Sequence, residues 1–573
     1  MKVLQLHCDH IRFKALKKAV KDTEELSDNE KKEHLIKECL VILTSVEEGD
    51  NADTIKQLVE AVAKHAKEVK TESIVLYPYA HLSSHLAKPK AALEMLKESE
   101  KELKKIFKNT VRAPFGYYKE FEIKCKGHPL AELSKEFKSS TDSKPGAVVI
   151  EESYDPSKLL REISRTKLDT SKLRDNDHRI LGQKLDLFSF NEAAPGQPFW
   201  HPAGLIILNS LIDYWRKLHI KAGYQEILTP QVLDNKVWKI SGHWKLYKEN
   251  MFITNYEGRD FALKPMNCPG AMLLYKTKMR SYSELPLRFS EIGVVHRQEL
   301  SGVINGLLRV IRITQDDAHL FVTKEQLSDE IVNVLKLFKE LLDSFGFGYK
   351  FTISVRSKEK KDKYLGDDSL WSDAEKALAD GLRKIKVKYE IVPGEAKFYG
   401  PSLDIIIKDS LEREWQCSTL QLDFNNAKNF ELTYTGKDGK EHMPIILHRV
   451  VYGSLERFIG VLLEHLNGAL PLWLSPRQVR VINFTDRNTK ACEKFVEQLK
   501  KEIPSLRVES DLRSDTVQSK IRDSELLKTN FTIVIGDKEE ETKTLAVRPR
   551  GGKPQFGVKF NKFIEDLKKE LEI

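Results

Sequence analysis

Cys268 in KPMNCPGAM, His319 in QDDAHLF and His448 in LHRVVYGSLERF are the residues of this chain whose types, taken together, could hold a metal. Cys and His are common donors to Zn²⁺, and three protein ligands with a fourth position left open is the arrangement of a catalytic zinc. The spacing carries no metal signature by itself, and in a chain with 16 histidines any one of them is more often a core or surface residue. Arginines add to the pattern. Arg297 ends the strand-like run FSEIGVVHR, the loop SGVING follows, and a second strand is expected from Arg309. A hairpin with an Arg on each arm can grip a phosphate chain bidentately, and Arg does this better than Lys. Arg457, in GSLERFIGVLLEHL, stands at a small-residue entry into an amphipathic helix and could reach the same polyanion. Taken singly, each is also readable as one surface arginine among 94 basic residues.

These side chains need elements to position them, and the apolar pattern supplies candidates. Residues 1–140 read as a small α/β domain, with strands at CLVILTSV and SIVLYPYA and a helix at AALEMLKESEKELKKIF. Residues 141–175, polar and charged, read as a linker. Residues 176–471 alternate long amphipathic helices with β-rich runs, which predicts a mainly antiparallel sheet flanked by helices. Residues 472–573 read strand, helix, strand, helix, strand, strand, helix, a compact α/β domain. The fold class is therefore α+β and multidomain.

Composition bounds the function. The chain has 573 residues, is 40% hydrophobic and 31% charged, and carries 94 Lys+Arg against 85 Asp+Glu, a net charge of +9. That excludes a disordered or collagen-like protein and permits a polyanionic partner without demanding one. No run approaches the ~18 apolar residues of a membrane span. Asp9, His10 and Arg12 interrupt the opening segment before a signal-peptide core can form, so a soluble cytoplasmic protein is expected. Six scattered cysteines without a C-x-x-C fit reduced thiols.

The motifs resemble those of class II aminoacyl-tRNA synthetases of the threonyl type. HRQE with Arg309 resembles motif 2, GSLERF motif 3, and GYQEILTPQ with Pro230 motif 1 at a dimer interface; NCPG, TQDDAH, FYGP, WQCSTLQLDF and LHR are similar to the threonine enzymes. The resemblance implies one Zn²⁺ on Cys268, His319 and His448, with ATP held by Arg297, Glu299, Arg309 and Arg457 and Mg²⁺ accompanying the ATP. It implies an L-threonine pocket lined by Gln315, Asp317, Tyr399 and Gln421, and a proton-moving role for His243 during transfer to tRNA(Thr). An apolar pocket separates threonine from valine only weakly, whereas a metal that takes an amine and a hydroxyl together excludes valine. Serine passes that filter, since one methyl is worth only about 1–3 kcal/mol, so a second site that removes seryl-tRNA is expected.

Residues 1–140 are the place for it. MKVLQLHCDH, YPYAHLSSHLA and APFGYYKEFEIKCKGHPLAE resemble the archaeal editing domain of this family, related in fold to D-aminoacyl-tRNA deacylase, with His81, Tyr118, Lys119 and Glu132 matching its pocket. His81 and His85 also have the H-x-x-x-H spacing of the bacterial editing domain, but their surroundings differ and the pair is read as coincidental. The last domain resembles an anticodon-binding domain, with Asn483, Glu539 and Arg548 at positions that read bases. Two positions depart from the commoner pattern: Ala271 where many relatives have His, and Ser402 where many have Lys. The alternatives are a deacylase fused to an inactive tRNA-binding module, an RNA-binding regulator, and a prolyl or histidyl enzyme. A homodimer is expected from motif 1.

Overall fold

The computed structural model describes residues 1–20, 23–83, 85–137, 156–163, 171, 173–357, 364, 368–397, 400–410 and 412–572. The chain divides into two compact units, Met1–Ser153 and Tyr154–Ile573.

In the first unit, β1 (Lys2–Lys18), β2 (His34–Ser45), β3 (Ser73–Pro78), β4 (Asn109–Arg112), β5 (Tyr117–Cys125) and β6 (Glu132–Glu136) form one sheet of order β4-β3-β2-β1-β5, with β6 also on β1. The expected strands at Cys39 and Ser73 are thus β2 and β3. α1 (Ala52–Val69) and α2 (Pro89–Ile106) supply the crossovers that the parallel pairs β2/β3 and β3/β4 require. Asn51 starts α1 with a capping box to Thr54, and its apolar stripe of Leu58, Val62 and Ala66 covers one sheet face. The other face is also apolar. The long β1 brings Phe13 within 5.9 Å of the Tyr77 ring, closing a second small core over that face.

The second unit is built on an eight-stranded sheet. Its strands are β7 (Gln225–Glu226), β8 (Leu287–His296), β9 (Arg312–Val322), β10 (Gly348–Val355), β11 (Tyr389–Pro393), β12 (Ser402–Lys408), β13 (Glu414–Asp423) and β14 (Ile445–Ser454), in the order β11-β10-β12-β13-β14-β9-β8-β7. All pairs are antiparallel except the two at the edges, β10/β11 and β8/β7. Helices α3 (His178–Lys184), α4 (Pro202–Lys221), α5 (Cys268–Tyr275), α6 (Leu327–Asp343), α7 (Asp368–Lys384) and α8 (Leu455–His465) accompany it. Pro at the first turn of α4 has no amide to leave unsatisfied there, and the helix buries Ile207, Leu211 and Trp215 at helical spacing. Each such side chain contributes about 1.5–3 kcal/mol of burial.

One difference from the sequence reading matters for the site. The strand expected from Arg309 begins only at Arg312, because residues Asn305–Arg309 close on themselves: the Arg309 and Leu308 amides both donate to the Asn305 carbonyl, at 3.3 and 2.9 Å. Gly306 makes this possible with φ +49.

The chain ends in a second sheet of order β16-β15-β17-β18-β19, where β15 is Val479–Asn483, β16 Val508–Asp511, β17 Phe531–Ile535, β18 Thr544–Pro549 and β19 Gln555–Lys559. α9 (Thr489–Glu502), α10 (Val517–Leu526) and α11 (Phe560–Leu571) complete the expected alternation.

Candidate active site

Three residues of β9 at spacing two, Gln315, Asp317 and His319, share one face of the sheet because strand side chains alternate. Register then assembles the rest. His319 lies opposite His448 of β14, and His448 lies opposite Gln421 of β13, so the three form a row across adjacent strands. The two imidazoles meet edge to face at 4.8 Å, and Cys268, first residue of α5, brings its thiol to them: the three ligand atoms lie within 4.8 Å of one another.

This cluster has the character of a cation site. Cys268 and His319 are buried, and His319 Nε2 has no hydrogen-bond partner among the described residues. An orphaned buried ring nitrogen is a costly feature unless something external completes it. Burial also pushes the Cys268 thiol well above its ordinary value, with Asp317 and Asp423 adding to the effect; a bound cation would reverse that. Asp423, fully buried, accepts from His448 Nε2 at 2.9 Å and from the Asn425 and Asn426 amides. Burial raises the Asp423 carboxyl, but His448 and Asn426 outweigh it and hold the group below the usual carboxylate value. A carboxylate that fixes a ligating imidazole is the usual support of a metal centre. The donor set, its burial and the orphaned nitrogen all fit Zn²⁺.

Asp317 accepts from Asn267 Nδ2 at 3.2 Å, and Asn267 precedes Cys268, so this bond ties the pocket floor to the metal loop. Gly293 is required there, since a Cβ would stand 2.3 Å from Asn267 Oδ1. Gln421 donates to the Gly400 carbonyl at 3.4 Å. Tyr399 lies outside the described residues. Ser402 donates to Asp404 at 3.0 Å, and Ala271 is buried inside α5.

The arginines gather on the same unit. Arg297 follows β8 and donates through Nε to the Pro265 carbonyl at 3.1 Å. Arg309 is held by Glu299 at 2.9 Å. Arg457, in the first turn of α8 behind the N-cap Ser454, donates to the Leu308 carbonyl at 2.9 Å. Burial lowers the Arg457 pKa, and the positive charges of Arg309 and Arg297 lower it further. Three guanidiniums that repel one another in a half-buried setting call for an anion, and a triphosphate meets that demand. His243 is buried, bonded through Nδ1 to Ser241 at 2.7 Å, and pushed down to about 4 by burial.

Sequence reasoning missed Asp316, on the opposite face from its neighbour Asp317. Its carboxylate accepts from the amides of Val451, Tyr452 and Gly453 at 2.9–3.1 Å and so shapes the end of β14 that launches Ser454 and Arg457. A second acid in DDAH was the available signal. Asp423 was missed as well, and its only trace was its place at the end of a strand.

In the first unit, Lys119 donates to the Pro114 carbonyl at 2.8 Å and stands over the Tyr77 ring at 5.0 Å. Burial brings its pKa down to about 8. His81, edge-on to Tyr79 at 5.3 Å, lines a cavity of 560 Å³ with Lys2, Ala80, Leu82, Ser83 and Leu86. Lys119 and His81 thus gather at the C-terminal end of β3. One expected partner points away. Tyr118 alternates to the opposite face from Lys119 and is 63% exposed. Glu132 opens β6 opposite Leu6 of β1, a residue of the same small core as Tyr77.

In the last domain the expectation for Asn483 is corrected. Its side chain is fully buried, donating to Thr485 and Thr489 and accepting from Lys520 Nζ at 2.6 Å, so its amide is spent on the core. The exposed neighbour is Phe484, 59% accessible. Glu539 caps its own helix through the Gly536 amide, and the Arg548 side chain, on a strand residue paired with Thr532, makes no hydrogen bond or ion pair among the described residues.

Comparison with known proteins bears on all three regions. Family profiles described as the archaea-specific editing domain of threonyl-tRNA synthetase, the tRNA synthetase class II core domain (G, H, P, S and T) and the anticodon binding domain match residues 1–137, 250–466 and 478–570. The solved RNA binding domain of threonyl-tRNA synthetase from Cryptosporidium parvum is 38% identical, with a TM-score of 0.65 over 69% of this chain and 98% of that one. The chain belongs to the threonyl-tRNA synthetase family. A second structure of the family, ThrRS-1 of Aeropyrum pernix, aligns at 31% identity and TM-score 0.62 over 69% of this chain and 96% of that one. The threonine–tRNA ligase of Caldanaerobacter subterraneus is 48% identical over 398 residues, 70% of this chain, which spans 61% of the length of that relative. Within this threonyl-tRNA synthetase family member, the editing profile falls on the unit that holds Lys119, and the class II core profile on the sheet that holds the triad. No described helix is long and apolar enough to cross a membrane.

Proposed function

We propose that this protein is a threonine–tRNA ligase that activates L-threonine with ATP and transfers it to tRNA(Thr), and that its first unit hydrolyses seryl-tRNA(Thr). The observation that carries the reading is the meeting of Cys268, His319 with its orphaned Nε2, and His448 beside Asp317, in the unit that also gathers three arginines without enough counter-charge. Zn²⁺ held by the triad would supply a Lewis-acid centre that takes the amine and hydroxyl of threonine together. Asp317 accepts the hydroxyl proton's hydrogen bond, and Gln421 and Gln315 close the pocket. Arg297 orients the carboxylate against the α-phosphate, while Arg309 and Arg457 fix the outer phosphates and adenine face, lowering the barrier by positioning and electrostatics. Mg²⁺ travels on the ATP phosphates and needs at most one or two protein carboxylates, for which Glu299 stands beside Arg309.

In the first unit Lys119 orients the seryl ester and His81 borders its pocket. Arg548 and Glu539 face the anticodon loop. A homodimer is supported by Leu228 and Ile220, 82% and 75% exposed around the segment that leads to Pro230. Six free thiols support residence in the cytoplasm.

Threonine-dependent ATP/pyrophosphate exchange, with metal content measured on the same sample, tests the reading. Exchange driven by threonine with one zinc per chain is expected; exchange driven by proline instead, or none with any amino acid, overturns it.

A further inference from the structure

His178 opens α3, far in sequence from every motif described above, yet it is completely buried between the arginine-bearing loop and the arginine-bearing helix. Its Nδ1 lies 2.6 Å from Glu464 Oε1 in the last turn of α8, and its Nε2 receives the Leu307 amide at 3.0 Å. The donors and acceptors settle the ring's state. Glu464 is held ionised: burial raises its carboxyl, but bonds from His178 and Arg413 bring it below the ordinary value, so it can only accept. Leu307 N–H can only donate. The ring therefore donates through Nδ1 and accepts at Nε2. Asp177, His178 and Glu464 also bring ligand atoms within 4.8 Å, but both ring nitrogens are engaged and the Asp177 carboxylate is taken by Arg179, so no donor is left for a metal.

The Leu307 amide is the pivot of the Asn305–Arg309 turn. One residue on, the Leu308 carbonyl accepts from Arg457, and two residues on stands Arg309. The turn is fitted to the ring: a Cβ on Gly306 would come within 2.2 Å of His178 Nε2. Glu464 and Arg457 occupy the two ends of the same short helix, α8. His178 thus connects the turn that presents Arg309 with the helix that presents Arg457.

We propose that His178 is a positioning residue for ATP: by accepting the Leu307 amide it fixes the spacing of Arg309 and Arg457 around the triphosphate, without touching the nucleotide itself. The inference rests on the ATP-dependent ligase reading. His178→Asn keeps a donor for Glu464 but cannot reach Leu307. His178→Gln places an acceptor where Nε2 stands. Gly306→Ala forces the turn and the ring apart while leaving the histidine in the sequence.

In pyrophosphate exchange at saturating threonine, the Asn variant and Gly306→Ala should raise the KM for ATP about tenfold, as expected for loss of one buried amide acceptor. The KM for threonine should stay within twofold, and Gln should recover most of the ATP effect. Equal changes in both KM values, no change in either, or Gln no better than Asn would overturn the proposal. If the Asn variant does not fold, as judged by its melting curve, Gly306→Ala alone decides: an unchanged ATP KM overturns the proposal and a selective rise supports it. Absence of threonine-dependent exchange in the wild-type protein would instead overturn the ligase reading.

Discussion

The metal pocket and the Lys119 pocket both hold a group whose charge burial disfavours, and they resolve it in opposite ways. In the larger unit, Cys268 stands with two imidazoles near Asp317 and Asp423, a donor set that could hold a cation from outside. In the smaller unit, Lys119 is its own cation, steadied by two backbone carbonyls and the face of Tyr77, and needs nothing added. The first arrangement suits recognition, since a cation held there could be shared with a substrate. The second suits hydrolysis near neutral pH, because a lysine with a pKa of about 8 is close to giving up its proton.

Breaking the first pocket should produce the largest effect. Cys268→Ala should lose bound zinc, read by mass spectrometry, and reduce threonine-dependent exchange by roughly a hundredfold or more, while hydrolysis of seryl-tRNA persists. Lys119→Ala should show the reverse, with deacylation down about a hundredfold and exchange unaltered. If either variant damages both activities alike, the division of labour between the units is wrong. Asp423→Asn sharpens the first half of the comparison: the imidazole keeps a neighbour but loses its ionised acceptor, and zinc affinity measured by chelator competition should fall about tenfold or somewhat more.

Acidity separates the pockets more gently. If Lys119 works as a cation, the wild-type to Lys119→Ala ratio of deacylation rates should fall by roughly five- to tenfold between pH 7 and pH 9, as its proton leaves near pH 8. A ratio that rises over this range would identify the neutral amine as the working form. The sign for stability is opposite: the unfolded chain binds that proton more tightly, so the folded state gains from this group as pH rises from about 8 toward 10.5.

The smallest contrast concerns the last domain. Arg548→Ala should weaken tRNA binding by about 1–3 kcal/mol and leave the melting temperature unchanged. Asn483→Ala should do the opposite, lowering stability by about 1–3 kcal/mol, because the buried Lys520 Nζ would lose its acceptor.

Much of this was legible in the chain itself, for a physical reason. Gln315, Asp317 and His319 alternate along one strand, Arg457 follows a capped helix start, and the C-terminal βα alternation shows directly in its apolar pattern. The parts that escaped depend on who lies opposite whom. Asn483 was named from its resemblance to base-reading positions, and only the approach of Lys520 from 37 positions away shows its amide engaged in the core. His178 meets Leu307 across 129 positions, and no local pattern announces such a bond.

The row of Gln421, His448 and His319 has one more consequence. A slip of β14 by a single position would turn His448 to the far face and carry Gln421 and His319 out of line with it. A mispaired central sheet could not then assemble all three metal donors. Uptake of the ion would act as quality control on folding, marking as competent only the molecules whose strands have found their true partners.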